Sequence, residues 1–271
     1  MPTAPTSPET KFRRRRPKMA DDIIETLRQD IVTRRLPDGE RLPSEKELSD
    51  RFGVSQPTVR EAIRALETLG LVEVLHGSGS FVRSSGEFAL ASALQTLLQL
   101  QSVGVMEVLN IRQALGRHSI ELAAANATDD DIVRIEHACA QFQHIDQVKE
   151  VDGVIGLILG FQRAVSAASH STLLQSLEAF LLALLNEVQV SSLNGRGARF
   201  WRARAMEFQP FRVDLLEGIR SGDIVTARAA MDRYFDAQRS RFERDESLRA
   251  LSLSSPNMIN VISNMVREFK E

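Results

Sequence analysis

Apolar residues recur along the chain with two different periods, and these divide it into two parts. Residues 21–34 carry isoleucine and leucine at helical spacing, which predicts an amphipathic helix. Shorter helical patterns follow over 45–52 and 56–69. Two β-rich segments, 71–75 and 80–82, then flank a glycine-rich tip and are typical of a hairpin. The first part is therefore predicted to contain three helices and one hairpin.

The second part shows helical periodicity alone. The predicted helices cover 105–127, 129–143, 146–169, 172–193, 198–221 and 224–246. Because the loops between them are short, sequential helices should pack antiparallel as a bundle. A last apolar stripe over 257–270 must also be buried on the bundle, since an exposed stripe would favour aggregation.

Local signals join two of the short helices into a helix-turn-helix. Ser44 and Glu47 have the spacing of a capping box at the start of the first helix. Gly53 can take the left-handed backbone that a tight turn needs, and Ser55 can cap the next helix. The predicted fold class is therefore mainly α. It consists of a winged helix-turn-helix domain (three helices plus a β-hairpin wing) followed by an all-α antiparallel helical bundle.

Composition narrows the classes of function. The chain has 43% hydrophobic and 26% charged residues, as globular proteins do, and no apolar run is long enough for a membrane span. The single Cys139 excludes an internal disulfide framework and is typical of the cytoplasm. The net charge of −2 does not by itself indicate nucleic acid. The tail 1–18, expected to be disordered, carries the arginine run 13–16 and either binds phosphates or is only solvated.

Residues 20–83 resemble the DNA-binding domain of the GntR family. The matching runs are GERLPSEKEL at 39–48, FGVS at 52–55, TVREAI at 58–63, LE at 66–67, GLV at 70–72 and GSGSFV at 77–82. The resemblance implies a homodimer that presents two recognition helices to a palindromic operator in double-stranded DNA.

Candidate DNA contacts follow from residue chemistry and from this resemblance. Gln56 can pair with adenine at two points, and Arg60 can reach guanine or a phosphate. By resemblance, DNA-contacting positions fall on Lys46, Ser55, Thr58, Arg60, His76 and Gly77. Many relatives have arginine at the Gln56 position, which leaves the operator preference open. An arginine such as Arg60, taken alone, is more often a solvated charge than a base-reading residue.

Residues 90–246 are similar to the helical effector domain, of the FCD type, in the FadR subgroup of that family. The similarity is carried by 112–115, 121–124, 127–131, Phe161 and 219–223. It implies a bundle that binds a small-molecule effector and supports dimerisation. The predicted organisation is a basic tail at 1–18, a winged domain at 19–84, this effector domain at 90–246 and a C-terminal amphipathic helix at 256–271.

Many members of the subgroup bind a divalent metal through one aspartate and three histidines, and this chain departs at every such position. The register places Ile158, Gln162, Arg212 and Tyr234 there. Isoleucine, glutamine and arginine are not replacement ligands, and tyrosine would first have to lose a proton. We therefore expect no bound metal and no cofactor.

The same substitutions indicate a different ligand chemistry. Arg212 would place a fixed positive charge where the metal stood, and Gln162 and Tyr234 would supply hydrogen bonds, with help from Arg112 and Arg163. A carboxylate effector, an organic or sugar acid, is the leading hypothesis. The alternatives are that Arg212 pairs with an internal acid, Glu207 or Asp214, or that the register is off by one turn.

The resulting prediction is a cytoplasmic, dimeric, ligand-responsive transcription factor. The family resemblance favours repression that the effector relieves, and activation is the alternative. An enzyme is disfavoured because the bundle contains no nucleophile–base motif, phosphate-binding glycine loop or HExxH sequence. The other alternative is a ligand-independent architectural DNA-binding protein, against which the large helical domain argues. No membrane partner is expected.

Overall fold

The computed structural model describes residues 16–75, 77–83, 86–193 and 195–269. Its helices are α1 (Arg16–Val32), α2 (Glu45–Phe52), α3 (Gln56–Thr68), α4 (Glu87–Leu100), α5 (Val105–Asn126), α6 (Asp129–Ala140), α7 (Val151–Ala167), α8 (Thr172–Ser192), α9 (Ala198–Met206), α10 (Gln209–Arg220), α11 (Ile224–Arg244), α12 (Glu246–Arg249) and α13 (Pro256–Glu268). A 3-10 helix spans Gln141–Gln147, and the strands are β1 (Val72–Leu75) and β2 (Gly79–Val82). The chain divides into two compact units, one up to residue 89 and one from residue 90.

The first unit is a winged helix-turn-helix, which confirms the predicted fold class. Its core is formed by α1, α2, α3 and the wing, through Ile23, Leu27, Ile31, Leu42, Leu48, Val59, Ala62, Ile63, Leu66, Val72 and Val82. Strands β1 and β2 pair antiparallel with Val72 opposite Val82. Leu69 is 47% exposed, because α3 ends at Thr68 and Leu69 occupies the cap position.

The second unit is the predicted helical bundle. Helix α11 packs against α5 and α10, and α8 packs against α5, α7 and α13. By length and composition α8 is apolar enough to cross a membrane. Within the bundle, however, it buries the polar residues Glu178, Asn186 and Gln189 together with its apolar ones, as a core helix does.

Four segments differ from the sequence prediction. Helix α1 begins at Arg16, inside the tail 1–18 that was expected to be disordered, and residues 1–15 lie outside the described residues. Helix α4 was not predicted, because its apolar residues are too dense to form a clear stripe. The single helix predicted over 198–221 is two helices, α9 and α10, which meet at Glu207 and Phe208. The helix predicted from 146 begins only at Val151, after the 3-10 helix.

The C-terminal stripe is buried as predicted. Met258, Ile262, Met265 and Val266 lie inside, and α13 packs along α8. The Gln95 side chain of α4 donates a 2.7 Å hydrogen bond to the Ser263 hydroxyl.

A buried carboxylate fixes the start of α6. Asp131 is 2% exposed and accepts hydrogen bonds from the Thr128 backbone N–H at 2.9 Å and the Thr128 hydroxyl at 2.7 Å. Arg134 and His170 also contact it. Burial by itself raises the pKa of Asp131, but these hydrogen bonds outweigh burial and hold the pKa well below its usual range.

Asp131→Ala is expected to lower the free energy of unfolding by about 2 kcal/mol at neutral pH, because it removes the capping box and its ion pairs. Since the folded-state pKa is depressed, this stabilisation is present above about pH 4 and is lost as the pH falls further. Urea denaturation at neutral and acidic pH measures both effects. The exposed neighbour Asp130→Ala is the control and should show less than about 1 kcal/mol. A wild-type-to-variant difference that does not shrink in acid contradicts the assignment.

Candidate DNA-binding face and effector pocket

Capping and turn residues set the geometry of the helix-turn-helix. The Ser44 hydroxyl accepts from the Glu47 N–H, and the Glu47 carboxylate accepts from the Ser44 N–H at 2.8 Å, which completes the predicted capping box. Gly53 closes α2 at φ 64°, a left-handed conformation that side-chain-bearing residues rarely adopt. Ser55 begins α3, but its hydroxyl bonds the Thr58 hydroxyl at 2.9 Å and caps no backbone N–H.

The candidate DNA contacts differ in accessibility. Lys46, Ser55, Gln56, Arg60 and Gly77 are exposed at the start of α2, along α3 and at the wing tip. Thr58 is only 9% exposed, with its hydroxyl against that of Ser55. His76 lies outside the described residues.

Arg60 is held by an acid across the helix-turn-helix. Its Nε and Nη2 donate to the two Glu45 carboxylate oxygens at 2.9 and 2.6 Å, a two-point fork between α3 and α2. The hydrogen bonds from Arg60 lower the pKa of Glu45, so the carboxylate is charged at neutral pH. The fork orients a half-exposed guanidinium, and a DNA base or phosphate would compete with Glu45 for it.

In the second unit, three of the predicted effector residues form one hydrogen-bonded network. Arg112, 2% exposed, donates to the Gln162 side-chain oxygen at 2.8 Å and to that of Gln238 at 3.3 Å. Gln238 in turn donates to the Tyr234 hydroxyl at 3.1 Å. The Arg112 Nε and Gln162 Nε2 atoms are buried with no hydrogen-bond partner in the described part of the chain. Such unmatched donors are rare in folded proteins.

Another predicted effector residue, Arg212, is a buried cation without an acidic partner among the residues that the structure describes. It donates from Nη1 to the Ala205 carbonyl at 2.9 Å and to Gln209 at 3.2 Å. Its guanidinium carbon lies 3.7 Å from the centroid of the Phe142 ring. The alternative pairings do not occur, because Glu207 pairs with Arg241 and Asp214 with Arg233.

Arg212 and Tyr234 line a small cavity of about 30 Å³, room for one or two waters. Its walls are Ile158, Asn186, Gln189, Trp201, Arg204, Ala205, Phe208, Arg212, Tyr234, Gln238 and Arg241. The sequence did not predict the polar wall residues Asn186, Gln189, Arg204, Gln238 and Arg241. Arg163, expected to assist, is exposed on α7 and is absent from the walls.

The cavity is electropositive. Burial, and then the charge of Arg241, lower the pKa of Arg204 to about 10, and burial lowers the pKa of Arg212 and Arg241 as well. A group with a pKa near 10 is still charged at neutral pH. None of the described wall residues is acidic, so the site is suited to an anion.

These residues do not fit a divalent metal. Ile158, Arg212 and Tyr234 share the cavity, and Gln162 is bonded to Arg112 beside it. Within the described ranges, no group of three or more His, Cys, Asp or Glu side chains could hold a metal ion. A divalent ion here would instead meet the repulsion of a buried guanidinium.

We expect the purified protein to carry far less than one zinc, nickel or manganese ion per chain, since the ligand positions offer no suitable donors. Elemental analysis of protein prepared without chelator measures this directly. EDTA should leave the melting temperature unchanged. About one tightly bound metal per chain would contradict both the expectation and the register behind it.

A winged helix-turn-helix joined in one chain to a helical bundle with an internal pocket defines a ligand-responsive transcriptional regulator. Residues 19–82 match the family model for bacterial regulatory proteins of the gntR family, and residues 107–237 match the FCD domain. The chain belongs to the GntR family, with an FCD effector domain, and is a DNA-binding regulator and not an enzyme.

Relatives and a solved structure agree with this assignment. The transcriptional regulator Rv0494 of Mycobacterium tuberculosis is 28% identical over 239 residues, 87% of this chain and 94% of that one. The transcriptional repressor NanR of Salmonella newport is 32% identical over 141 residues, 50% of this chain and 54% of its own. A GntR structure from Streptococcus agalactiae superposes with a TM-score of 0.58 at 21% identity, over 83% of this chain and 99% of that one, and shows the shared fold.

Proposed function

We propose that this regulator is a cytoplasmic homodimer that represses transcription from a palindromic operator and leaves it when an organic or sugar acid binds in the bundle. Each chain supplies one exposed recognition helix, α3, so a two-fold dimer would match a two-fold operator. The repressing sense is supported by the similar protein NanR, which is named a repressor.

The proposed DNA contacts are those of the sequence analysis: Lys46, Ser55, Gln56, Thr58, Arg60, His76 and Gly77. The exposed ones among the described residues present donors and acceptors on the same helix-turn-helix and wing. Gln56, at the first turn of α3, is suited to an adenine edge, and Arg60 to a guanine edge or a phosphate. Thr58 would act through Ser55, whose hydroxyl it holds.

The observation that carries the effector proposal is the acid-free cavity with three arginines in its wall. A guanidinium recognises a carboxylate by two parallel hydrogen bonds, without help from a metal. Arg112, Gln162 and Tyr234 would support the site through the Gln238 network.

The cavity in its present form is too small for an organic acid, so binding requires the bundle to open. The helical path is interrupted between α9 and α10, beside Arg204 and Arg212. We expect this interruption to be the part of the bundle that moves when the pocket opens. Opening would change the populations of two bundle conformations, by no more than the difference in the effector's affinity for them.

Arg212→Ala should abolish release of the operator by acids while leaving operator binding without effector unchanged. The measurement is fluorescence anisotropy of labelled operator, titrated with a panel of organic and sugar acids. Arg212→Met keeps most of the side-chain volume over Phe142 and shows whether lost charge or lost packing is responsible. The exposed Arg163→Ala is the control. If no acid releases wild-type protein, the ligand-independent alternative is favoured.

A further inference from the structure

The wall of the pocket by itself carries more positive charge than one carboxylate would balance. Arg204, Arg212 and Arg241 all line it, and no described wall residue is acidic. The acid bonded to this set in the described structure is Glu207, which pairs with Arg241 from a side chain that is 65% exposed. The charge of Asp245 also favours the protonated form of Arg204 and so raises the pKa of Arg204 against the effect of burial.

The three arginines have more N–H donors than the hydrogen bonds they make within the described structure. In the described structure, each guanidinium hydrogen-bonds through a single terminal nitrogen. Arg212 uses Nη1, Arg204 uses Nη2 on the Gln189 side-chain oxygen at 2.8 Å, and Arg241 uses Nη2 on Glu207 and the Arg204 carbonyl. A guanidinium has five N–H donors, so each of the three can still donate a hydrogen bond to a ligand oxygen.

Building on the proposed effector site, we infer that the effector carries two anionic groups: one binds Arg212 and the other displaces Glu207 from Arg241, with Arg204 beside it. Glu207 occupies Arg241 as an internal carboxylate and can turn into solvent when a ligand group replaces it. Two sources share this chemistry, a dicarboxylic acid and a phosphorylated acid.

The position of Glu207 links binding of an anion at Arg241 to the break between α9 and α10. Glu207 follows the last residue of α9 and precedes Phe208, whose ring centroid lies 4.2 Å from the Arg241 guanidinium carbon. An anion that replaces Glu207 at Arg241 therefore breaks a contact that is made by a residue of the α9–α10 break. A ligand with a single anionic group, bound at Arg212, would leave the Glu207–Arg241 pair in place.

The test compares acids within two sets, each of which shares one carbon skeleton. In the six-carbon set, gluconate has one anionic group, and glucarate and 6-phosphogluconate have two. In the four-carbon set, butyrate has one and succinate has two. Calorimetry on the full-length protein should show each two-group acid binding about tenfold or more tighter than its one-group counterpart. Glucarate against 6-phosphogluconate distinguishes the dicarboxylate from the phosphorylated source.

Variants separate the two anionic subsites. Arg241→Gln and Arg204→Gln should remove the advantage of the second group and keep binding of the one-group acid, whereas Arg212→Met should lose both. Glu207→Gln should tighten binding of the two-group acids, because it weakens the competing internal carboxylate. The control is Arg233→Gln on the same helix as Arg241, an exposed arginine paired with Asp214.

The outcomes distinguish failure of the two-group inference from failure of the proposed effector site. One-group acids that bind as tightly as two-group acids, dependent on Arg212, overturn the two-group inference and leave the proposed effector site standing. A two-group preference that survives Arg241→Gln and Arg204→Gln also overturns it. If no acid of the panel binds and none releases the operator, both the inference and the proposed effector class are wrong.

Discussion

Arg60→Ala is expected to weaken binding of the cognate operator by roughly 1–3 kcal/mol, about five- to 150-fold, while the melting temperature hardly changes. Arg60 is half exposed on α3 and contributes nothing to the core of the winged domain. In its two-point fork with Glu45, the Arg60 side chain already presents Nε and Nη2 as two parallel donors. The same pair of donors matches the acceptor edge of guanine.

The measurement is anisotropy with an operator selected by the protein from random duplexes, at fixed salt, against a scrambled duplex. Lys46→Ala is the matched comparison, since an exposed lysine at a phosphate should weaken both duplexes alike and reduce the salt slope by about one. Arg60→Ala should weaken the operator selectively. Equal losses on both duplexes would make Arg60 a phosphate contact, and no loss would remove it from the interface.

The winged domain could be predicted because its signals are local. The capping box at Ser44, the left-handed Gly53 and the glycines of the wing tip each fix a few residues of backbone by short-range chemistry. The fork between Arg60 and Glu45 was not predicted, although both residues lie in runs that resemble the GntR family, because they are 15 positions apart on different helices. Only the packing of α2 on α3 brings them together.

The bundle was predicted less completely. Helix α4 is apolar on more than one side, so its sequence lacks the stripe that marks a surface helix. The break at Glu207 and Phe208 is caused by neither glycine nor a proline within the break itself; Pro210 lies in the first turn of α10, where proline is tolerated. Helical spacing continues across 198–221, but Pro210 inside that range was a sequence sign that a second helix begins there.

Part of the effector pocket was within reach of the sequence. Tyr234, Gln238 and Arg241 are spaced i, i+4 and i+7 on α11, so once Tyr234 was assigned to the pocket, the other two shared its face. Arg204 could not be found in this way, because it reaches the cavity from α9 across the break. The same tertiary arrangement explains why Arg212 does not pair with Glu207, which Arg241 holds instead.

Gly218 brings α10 against α11 with no space for a side chain. A Cβ added there would lie 2.6 Å from the Ala227 Cα and 3.1 Å from the Ala227 nitrogen, both backbone atoms that cannot rotate away. Gly218→Val should therefore lower the free energy of unfolding by about 3 kcal/mol, since the two helices must separate. For a unit of this size, that corresponds to a fall in melting temperature of roughly 6–12 °C.

The alanine variants give a sharper comparison, because the same substitution should have opposite signs at two glycines. Gly160, in the middle of α7, is exposed, and a Cβ there would meet nothing within 4 Å. Gly160→Ala should stabilise the protein by about 0.5–1 kcal/mol through helix propensity alone. Gly218→Ala gains the same propensity but must displace backbone, and should destabilise by about 1 kcal/mol net. Chemical denaturation of the two variants side by side measures the difference; if both are stabilised alike, α10 and α11 are not packed as closely as Gly218 and Ala227 indicate.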